Sequence, residues 1–171
     1  MPKKIDVVYT WVDPEHKEWQ KEKDKHTKKK NFANNTARFN SSLNELKYSL
    51  RSLDRYFSKY INKIYLVTNH GSVPNFIDQT RTDLIIINAI ELLNGVSFCS
   101  CTIESVLHKI PKLTEDFLYF NDDMLLTAPL SPKDLFDNTG KPIWYQESDI
   151  LLRFISQNSY LINPFNLDGH V

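Results

Sequence analysis

The sequence predicts an α/β fold in which a mainly parallel sheet is flanked by helices. Short apolar segments that are typical of buried strands alternate with segments of helical periodicity, and this alternation favours parallel strands joined by helices. The 171 residues are enough for a single domain, which at this size buries about two thirds of its unfolded surface. The formal net charge is zero, so the composition gives no reason to expect a nucleic-acid partner.

The first predicted strand is Ile5 to Val12 (IDVVYTWV), which is rich in β-branched and aromatic residues. Asp13-Pro14 ends this strand, because Asp favours turns and Pro cannot donate to a strand ladder. Residues 15–30 are crowded with Lys, Glu and His and show no apolar stripe. This segment is therefore either a solvated helix or a loop.

An amphipathic helix is predicted between the first and second strands. Its apolar residues recur at intervals of three and four, which places them on one helical face: Leu43, Leu46, Leu50, Leu53 and Phe57. Ser42 and Glu45 are spaced as in a capping box, in which each side chain bonds a backbone N–H at the start of a helix. We therefore expect Ser42 to cap this helix.

Two further strands follow that helix. Lys63 to Thr68 (KIYLVT) is a short apolar segment that ends at a predicted turn, Asn69-His70-Gly71. Asp83 to Ala89 (DLIIINA) is apolar on both faces, as is typical of a strand covered by helices on both sides. We therefore expect this third strand to lie in the centre of the sheet.

The segment Thr102 to Ile110 (TIESVLHKI) is predicted to form a short helix that ends before Pro111, because the residue before proline avoids helical geometry. A single helix would place Glu104 and His108, four residues apart, on the same face. There they would form a metal-binding pair, an acid–base couple or an ordinary surface contact. The fourth strand, Phe117 to Phe120, follows, and a short helix is predicted at Pro132 to Phe136.

The sequence predicts no membrane segment and no zinc site. No apolar run approaches the ~20 residues that span a bilayer, and the apolar stretch near the N-terminus is too short for a signal peptide. A cytoplasmic location is therefore expected. Cys99 and Cys101 have no second cysteine pair with which to complete a zinc site of about four ligands, so we expect them to be free, buried thiols.

Polar residues follow three of the four predicted strands, and all three groups should meet at one edge of the sheet. They are Trp11-Val12-Asp13, Thr68-Asn69-His70 and Asn121-Asp122-Asp123. Ligands of open parallel sheets bind beyond the carboxyl ends of the strands, so a binding crevice is expected there. The chain has four glycines and no glycine-rich phosphate motif, so a bound phosphate would be neutralised in another way.

Two adjacent carboxylates provide one such way. Asp122 and Asp123 could hold Mg²⁺ or Mn²⁺, which would then bridge diphosphate oxygens, or they could form an ordinary turn at the strand end. In a continuing strand they would face opposite sides, so both can serve one metal only if the chain turns there. Arg38 and Arg51 are either fork-shaped donors to phosphate or solvated residues.

Several of these segments together resemble the Stealth family, which contains bacterial capsular polysaccharide phosphotransferases and the animal GlcNAc-1-phosphotransferase of lysosomal enzyme tagging. Residues 1–14, with IDVVYTWVD, resemble its first conserved region. Residues 38–130 resemble its second region, through Arg38-Phe39, ELKYSLRSL, IYLVT, Val73-Pro74, IESVLHKIPKL and FLYFNDDM in that order. Residues 131–171 are left without an assignment.

The resemblance implies a nucleotide-diphosphosugar-transferase-like (GT-A-like) fold and a sugar-phosphate transferase. An acceptor hydroxyl would attack the β-phosphate of a UDP-sugar such as UDP-GlcNAc, and sugar-1-phosphate would pass to a capsular or exopolysaccharide glycan while UMP leaves. Mg²⁺ or Mn²⁺ on Asp122 and Asp123 would offset the diphosphate charge, and Glu104 or His108 would take acid–base roles. The nucleotide-sugar would lie against Trp11, Val12, Asp13, Arg38, Arg51 and Asn121. Peripheral association with the capsule machinery is a further expectation.

Two positions depart from the family pattern, and two conserved regions are not found. Ser97-Phe98-Cys99-Ser100-Cys101 stands where the family usually has proline, threonine, an aromatic residue, asparagine and serine, and Asn69 stands where an acidic residue is common. The two further regions of the family supply a catalytic His and Arg, whereas His170 and Arg153 do not stand in that context. We therefore expect a truncated copy or the N-terminal half of an interrupted one.

Two alternative functions stay open at the level of the sequence. A metal-dependent glycosyltransferase of similar fold would break the sugar–phosphate bond and release UDP instead of UMP. A truncated, non-catalytic remnant would bind a nucleotide-sugar without turnover.

Overall fold

The computed structural model describes residues 3–30 and 44–143, and these residues contain a four-stranded sheet. Its strands are β1 (Ile5–Trp11), β2 (Ile61–Thr68), β3 (Leu84–Asn88) and β4 (Phe117–Asn121). They lie in the order β3-β2-β1-β4, and every neighbouring pair is parallel. The predicted α/β class with a mainly parallel sheet is confirmed.

Helices lie between β1 and β2, between β3 and β4, and after β4, whereas the segment that joins β2 to β3 contains only a 3₁₀ turn. The described residues form α1 (Lys17–Lys30), α2 (Glu45–Phe57), α3 (Ala89–Leu93), α4 (Ser100–Glu104) and α5 (Pro132–Leu135). Short 3₁₀ turns lie at Ser58–Tyr60, Asn69–Gly71 and Leu107–Lys109. The charged segment after β1 is therefore a helix. In the described part of the chain, no helix combines the length and the apolar character that crossing a membrane requires.

The chain divides into two compact units, Met1–Pro132 and Lys133–Val171. The sheet and helices α1 to α4 belong to the first unit. In the second unit, Phe136 forms an antiparallel bridge with Pro142, and the Ile143 N–H donates to the Leu135 carbonyl oxygen at 2.8 Å.

The third strand lies at an edge of the sheet, and its predicted central position is wrong. Among the described strands, β3 pairs only with β2, and all of its residues are partly exposed. An apolar run shows that both faces of a strand are covered, but it does not show how many strands lie beside it. The central strands are β1 and β2, which carry most of the fully buried side chains of the core.

Helix α2 confirms the predicted amphipathic helix but contradicts its predicted cap. The helix buries Leu46, Leu50, Leu53 and Phe57, as the spacing indicates. Glu45 is its first residue, so Glu45 is not at the third helical position from which a capping-box side chain reaches back. The preceding residue, Asn44, has a left-handed φ of 50° and makes no side-chain cap bond. Ser42 and Leu43 lie outside the described residues.

Both cysteines are free, as expected, but Cys99 and Cys101 are exposed rather than buried. Cys99 lies immediately before α4 and Cys101 lies within it, and this helix of five residues buries none of its side chains. The preference of cysteine for protein interiors is therefore overridden by the place of this short helix at the surface.

A buried carboxylate near the start of β1 determines the register of the central strands. Asp6 is fully buried, and β2 contains one extra residue opposite it, which is a β-bulge. At that bulge, Asp6 Oδ1 accepts hydrogen bonds from the Lys63 N–H (3.2 Å) and from Asn62 Nδ2 (2.8 Å). Asp6 Oδ2 accepts from the N–H and the hydroxyl of Thr114, both at 2.9 Å. One carboxylate thus joins β1, the bulge in β2 and the loop that enters β4.

We expect Asp6→Ala to lower the free energy of unfolding by about 3 kcal/mol, because it removes the buried carboxylate that accepts four hydrogen bonds. Urea denaturation of the purified chain would measure this as a lower midpoint. Asp6→Asn should lose less stability than Asp6→Ala, since one acceptor oxygen remains.

Lys3→Ala is the matched control, because it removes an exposed ion pair with Asp116 (2.6 Å) near the same end of the sheet. It should cost about 0.5 kcal/mol or less. Equal midpoints for Asp6→Ala and Lys3→Ala would show that the Asp6 carboxylate does not hold the strand register.

Candidate functional site

The carboxyl ends of β1, β2 and β4 meet at one edge of the sheet, as the sequence predicts. Trp11, the last residue of β1, is paired with Thr68, the last residue of β2. Thr10 is paired with Asn121, the last residue of β4. The three polar groups that follow these strands therefore begin side by side.

A cleft of about 330 Å³ opens at this edge. Residues from β1, from the turn after β4, from α1 and from the segment that contains α4 contribute to it. They are Thr10, Trp11, Val12, Trp19, Ser97, Phe98, Ser100, Ile103, Asn121, Asp122 and Asp123. The cleft therefore combines an acidic edge, formed by Asn121 to Asp123, with aromatic and apolar side chains.

The chain turns immediately after β4, and Asp122 and Asp123 both line the cleft. The Met124 N–H donates to the Asn121 carbonyl oxygen at 3.2 Å, which closes the turn. The turn that the sequence analysis requires before both carboxylates can serve one ligand is therefore present. Burial is the main cause that raises the pKa of Asp122, and the negative charges of Asp123 and Glu45 raise it further. A bound cation would relieve this repulsion.

Helix α2 holds the chain that leaves this turn. The buried Tyr9 hydroxyl lies 3.0 Å from Ser49 Oγ, and Ser49 donates to the Met124 carbonyl oxygen. Because the Ser49 proton is used for Met124, Tyr9 is the donor to Ser49, and burial raises the pKa of Tyr9 to about 12. The Leu126 N–H donates to Ser52 Oγ at 2.9 Å. Two serines of one helix thus position the acidic turn.

The Tyr119 hydroxyl joins three elements next to the cleft. Tyr119 Oη lies 2.9 Å from Thr10 Oγ1 on β1, 2.7 Å from Asn121 Oδ1 and 3.3 Å from Glu104 Oε1 on α4. Burial raises the pKa of Tyr119 most strongly, and the Glu104 charge also raises it, so the hydroxyl keeps its proton at neutral pH. Glu104 is therefore linked to the site through Tyr119, although it does not itself line the cleft.

Asn69 holds the end of β1 by pairing with the backbone of Asp13. Asn69 Oδ1 accepts from the Asp13 N–H (2.6 Å), and Asn69 Nδ2 donates to the Asp13 carbonyl oxygen (3.0 Å). Asn69 is buried, and its carboxamide both accepts and donates, which an ionised acidic side chain cannot do. This departure from the family pattern therefore has a structural role. It supports Trp11 and Val12 at the cleft, whereas Asp13 itself does not line it.

Helix α1 contributes a wall of the cleft that the sequence analysis missed. His70, after β2, stacks on His16 with ring centroids 4.4 Å apart and lies 3.0 Å from Glu22 Oε2, which ties α1 to the end of β2. Trp19 is only 5% exposed and packs against Phe98 at a centroid distance of 5.9 Å. A tryptophan within an otherwise charged segment was the available signal, because such a residue indicates the side through which a helix packs.

The predicted pairing of Glu104 and His108 on one helical face is wrong. Helix α4 ends at Glu104, and His108 lies in the separate 3₁₀ turn Leu107–Lys109. The helix ends where the Ser105 hydroxyl donates to the Thr102 carbonyl oxygen (2.8 Å), a local bond that competes with helical pairing. His108 is exposed and does not line the cleft.

Of the two predicted arginines, Arg51 is not among the described residues that line the cleft. Arg51 is exposed on α2, and its guanidinium lies 5.8 Å from the centre of the Tyr48 ring. Arg38 lies outside the described residues, as do Arg153 and His170. The phosphate contacts expected of Arg38 and Arg51 stay predictions.

The acidic edge has the donors that a hard divalent cation uses when a substrate completes its coordination. Among residues 3–30 and 44–143, no group of three or more His, Cys, Asp or Glu side chains is placed to hold a metal ion. Mg²⁺ is nevertheless commonly held by one or two carboxylates, while water and substrate phosphates occupy its other positions. Asp122 and Asp123, which line the same cleft, fit that arrangement.

Two family models match the chain. Stealth protein CR1, conserved region 1, matches residues 3–30, and Stealth protein CR2, conserved region 2, matches residues 38–144. The chain is 35% identical over 147 residues to the capsular polysaccharide phosphotransferase WcwK of Streptococcus pneumoniae, an alignment that covers 81% of this chain and 43% of that protein.

Other relatives carry similar names. The chain is 36% identical over 146 residues to the receptor polysaccharide phosphotransferase WefC of Streptococcus oralis, with 81% of this chain and 43% of the relative covered. It is 35% identical over 140 residues to the exopolysaccharide phosphotransferase SCO6023 of Streptomyces coelicolor, with 80% and 24% covered. The chain thus spans less than half the length of these relatives.

We expect Asp122→Asn to raise the melting temperature at pH 7 by about 2 °C, because it removes a half-buried charge that faces other negative charges. A carboxyl with a raised pKa in the folded state destabilises the fold increasingly as pH rises from its unfolded to its folded pKa. The advantage of the variant should therefore shrink as pH falls from neutral towards about 4 and be absent below that pH, and thermal denaturation across this pH range measures it.

Asp24→Asn, at an exposed position of α1, is the control and should show no such pH-dependent gain. A lower melting temperature of Asp122→Asn at pH 7 would contradict the prediction, since it would mean that the charge is compensated within the fold.

Proposed function

Since this chain belongs to the Stealth family, we propose that it contains the donor-binding part of a sugar-phosphate transferase of capsular or exopolysaccharide synthesis. An acceptor sugar hydroxyl attacks the β-phosphorus of a UDP-sugar, and the bond from that phosphorus to the bridging oxygen breaks. UMP leaves, the hydroxyl proton passes to a general base, and the sugar-1-phosphate remains on the glycan. The observation that carries this proposal is the acidic Asn121-Asp122-Asp123 turn in a cleft at the carboxyl edge of the sheet.

The cleft offers different surfaces to different parts of such a donor. Phosphoryl transfer depends mainly on positioning and on neutralisation of charge. Asp122 and Asp123 would hold Mg²⁺ or Mn²⁺, which when bound would neutralise the diphosphate. Trp11 and Val12 would lie against the nucleotide, and the packed wall that includes Trp19 would keep water away from it.

Neither of the two residues predicted as a general base lines the cleft. Glu104 is engaged with Tyr119, and His108 is exposed outside the cleft, so neither is placed to take a proton there without a rearrangement. The relatives are more than twice as long as the part that matches this chain. We therefore assign neither the base nor the glycan acceptor site to residues 3–30 and 44–143.

Binding of a nucleotide-sugar without turnover is the second candidate function. The observation in its favour is that the matched part of this chain corresponds to 43% of the length of these relatives, because donor binding and turnover need not depend on the same part of such a protein. A metal-dependent glycosyltransferase would use the same cleft and would differ in the bond that breaks.

The nucleotide product tests these alternatives. We expect the purified chain, incubated with UDP-GlcNAc, Mg²⁺ and a panel of glycan acceptors, to release UMP, which chromatography separates from UDP. Asp123→Ala should lower the rate by about 100-fold or more, because it removes a carboxylate that holds the cation. Asp78→Ala, at an exposed carboxylate of the loop after β2, is the matched control and should keep the parent rate.

Each product has a distinct meaning. Release of UDP would identify a glycosyltransferase, whereas UDP-GlcNAc binding in a calorimeter without either product would identify a binding protein. UMP release by Asp123→Ala at the parent rate would remove that residue from the site.

A further inference from the structure

We propose that Asn121 binds the donor diphosphate through its side-chain N–H groups, and that Tyr119 positions it by occupying its carbonyl oxygen. This inference rests on the proposed function and deepens it, since it assigns the contact that the protein itself makes with the phosphates. From its place beside Asp122 and Asp123, Asn121 could equally supply an oxygen ligand to a cation. The hydrogen bonds of Tyr119 distinguish the two roles.

The Tyr119 hydroxyl has one proton and three polar neighbours. Asn121 Oδ1 and Glu104 Oε1 are both acceptors in their contacts with this hydroxyl, and Asn121 Oδ1 is nearer, at 2.7 Å against 3.3 Å. Tyr119 therefore donates to Asn121. Thr10 Oγ1, at 2.9 Å, is left to donate to the Tyr119 oxygen. The bonds form a directed chain from Thr10 through Tyr119 to Asn121.

A carboxamide whose oxygen is held in this way turns its nitrogen to the other side. Asn121 is exposed and lines the cleft, so its two N–H donors are available to a ligand there. Among the described residues that line the cleft there is no Lys and no Arg. A cation on Asp122 and Asp123 would offset part of the phosphate charge. The N–H groups of Asn121, which are neutral, would then donate to the phosphate oxygens beside that cation.

The reverse orientation of the carboxamide gives the competing arrangement. Asn121 Nδ2 would then donate to Tyr119, Tyr119 would donate to Glu104, and Asn121 Oδ1 would face the cleft beside the two carboxylates. In that arrangement Asn121 contacts the cation, whereas in the proposed one it contacts the anion. The two arrangements therefore predict opposite effects of the same substitutions.

Two calorimetric titrations separate them: Mg²⁺ alone, and UDP or inorganic diphosphate at saturating Mg²⁺. Asn121→Ala should weaken UDP and diphosphate binding by about tenfold, as loss of a hydrogen bond to a charged group does. It should leave Mg²⁺ binding within about twofold of the parent, because the cation keeps both carboxylates. In ¹⁵N-labelled parent protein, the side-chain NH₂ signals of Asn121 should move on addition of UDP and not of Mg²⁺ alone.

Tyr119→Phe tests the positioning role, since it keeps the ring and removes only the hydroxyl. It should weaken UDP binding by about three- to tenfold with unchanged Mg²⁺ binding. Tyr65→Phe is the matched control, because Tyr65 donates to the Lys112 carbonyl oxygen (3.2 Å) and does not line the cleft. It should bind UDP as the parent does.

The outcomes separate failure of this inference from failure of the proposed function. Weaker Mg²⁺ binding by Asn121→Ala, or parent-like UDP binding by both Asn121→Ala and Tyr119→Phe, would overturn the inference and leave donor binding standing. A parent that binds diphosphate but not UDP would contradict the nucleotide donor, and the same variants would then test Asn121 on diphosphate. A parent that binds neither would overturn both.

Discussion

The buried Asp6 carboxylate is the constraint on which the geometry of the cleft depends. It accepts hydrogen bonds from the bulge in β2 and from the loop before β4, so it aligns β1 with both of its neighbours. Because side chains alternate between the two faces of a strand, a slip of one residue would turn every β1 side chain to the opposite face. Tyr9 would then lose Ser49, and Trp11 would no longer end level with Thr68. The cleft at the carboxyl edge is thus aligned from the opposite end of the sheet.

The polar residues around the cleft divide into those that line it and those that support them. Asp122, Asp123 and Asn121 line it, whereas Ser49 and Asn69 hold the backbone on either side through bonds to Met124 and Asp13. Under the proposed function, this division would allow a chain with four glycines to bind a diphosphate. Carboxylates suited to a cation and a side-chain amide would take the place of the backbone N–H groups of a glycine-rich loop.

The errors of the sequence analysis share a physical cause. The edge position of β3, the exposed thiols of Cys99 and Cys101, and the interrupted helix between Glu104 and His108 all depend on which segment covers which. Periodicity reports the faces of a single element and carries no information about its neighbours. The role of Trp19 was missed for the same reason, since one aromatic residue in a charged segment does not reveal what it packs against.

The sequence by itself determined the parallel α/β class, the amphipathic helix α2, the strands that end in polar residues and the family to which the chain belongs. These follow from local patterns: alternation of strand and helix, spacing of leucines, and motifs in a fixed order. Only the tertiary structure decided that Asn69 would form hydrogen bonds with the Asp13 backbone, that Tyr119 would form one with Asn121, and that α1 would form one wall of the cleft. These contacts join residues on separate elements, 56 residues apart in the case of Asn69 and Asp13, and packing and register rather than local propensity bring them together.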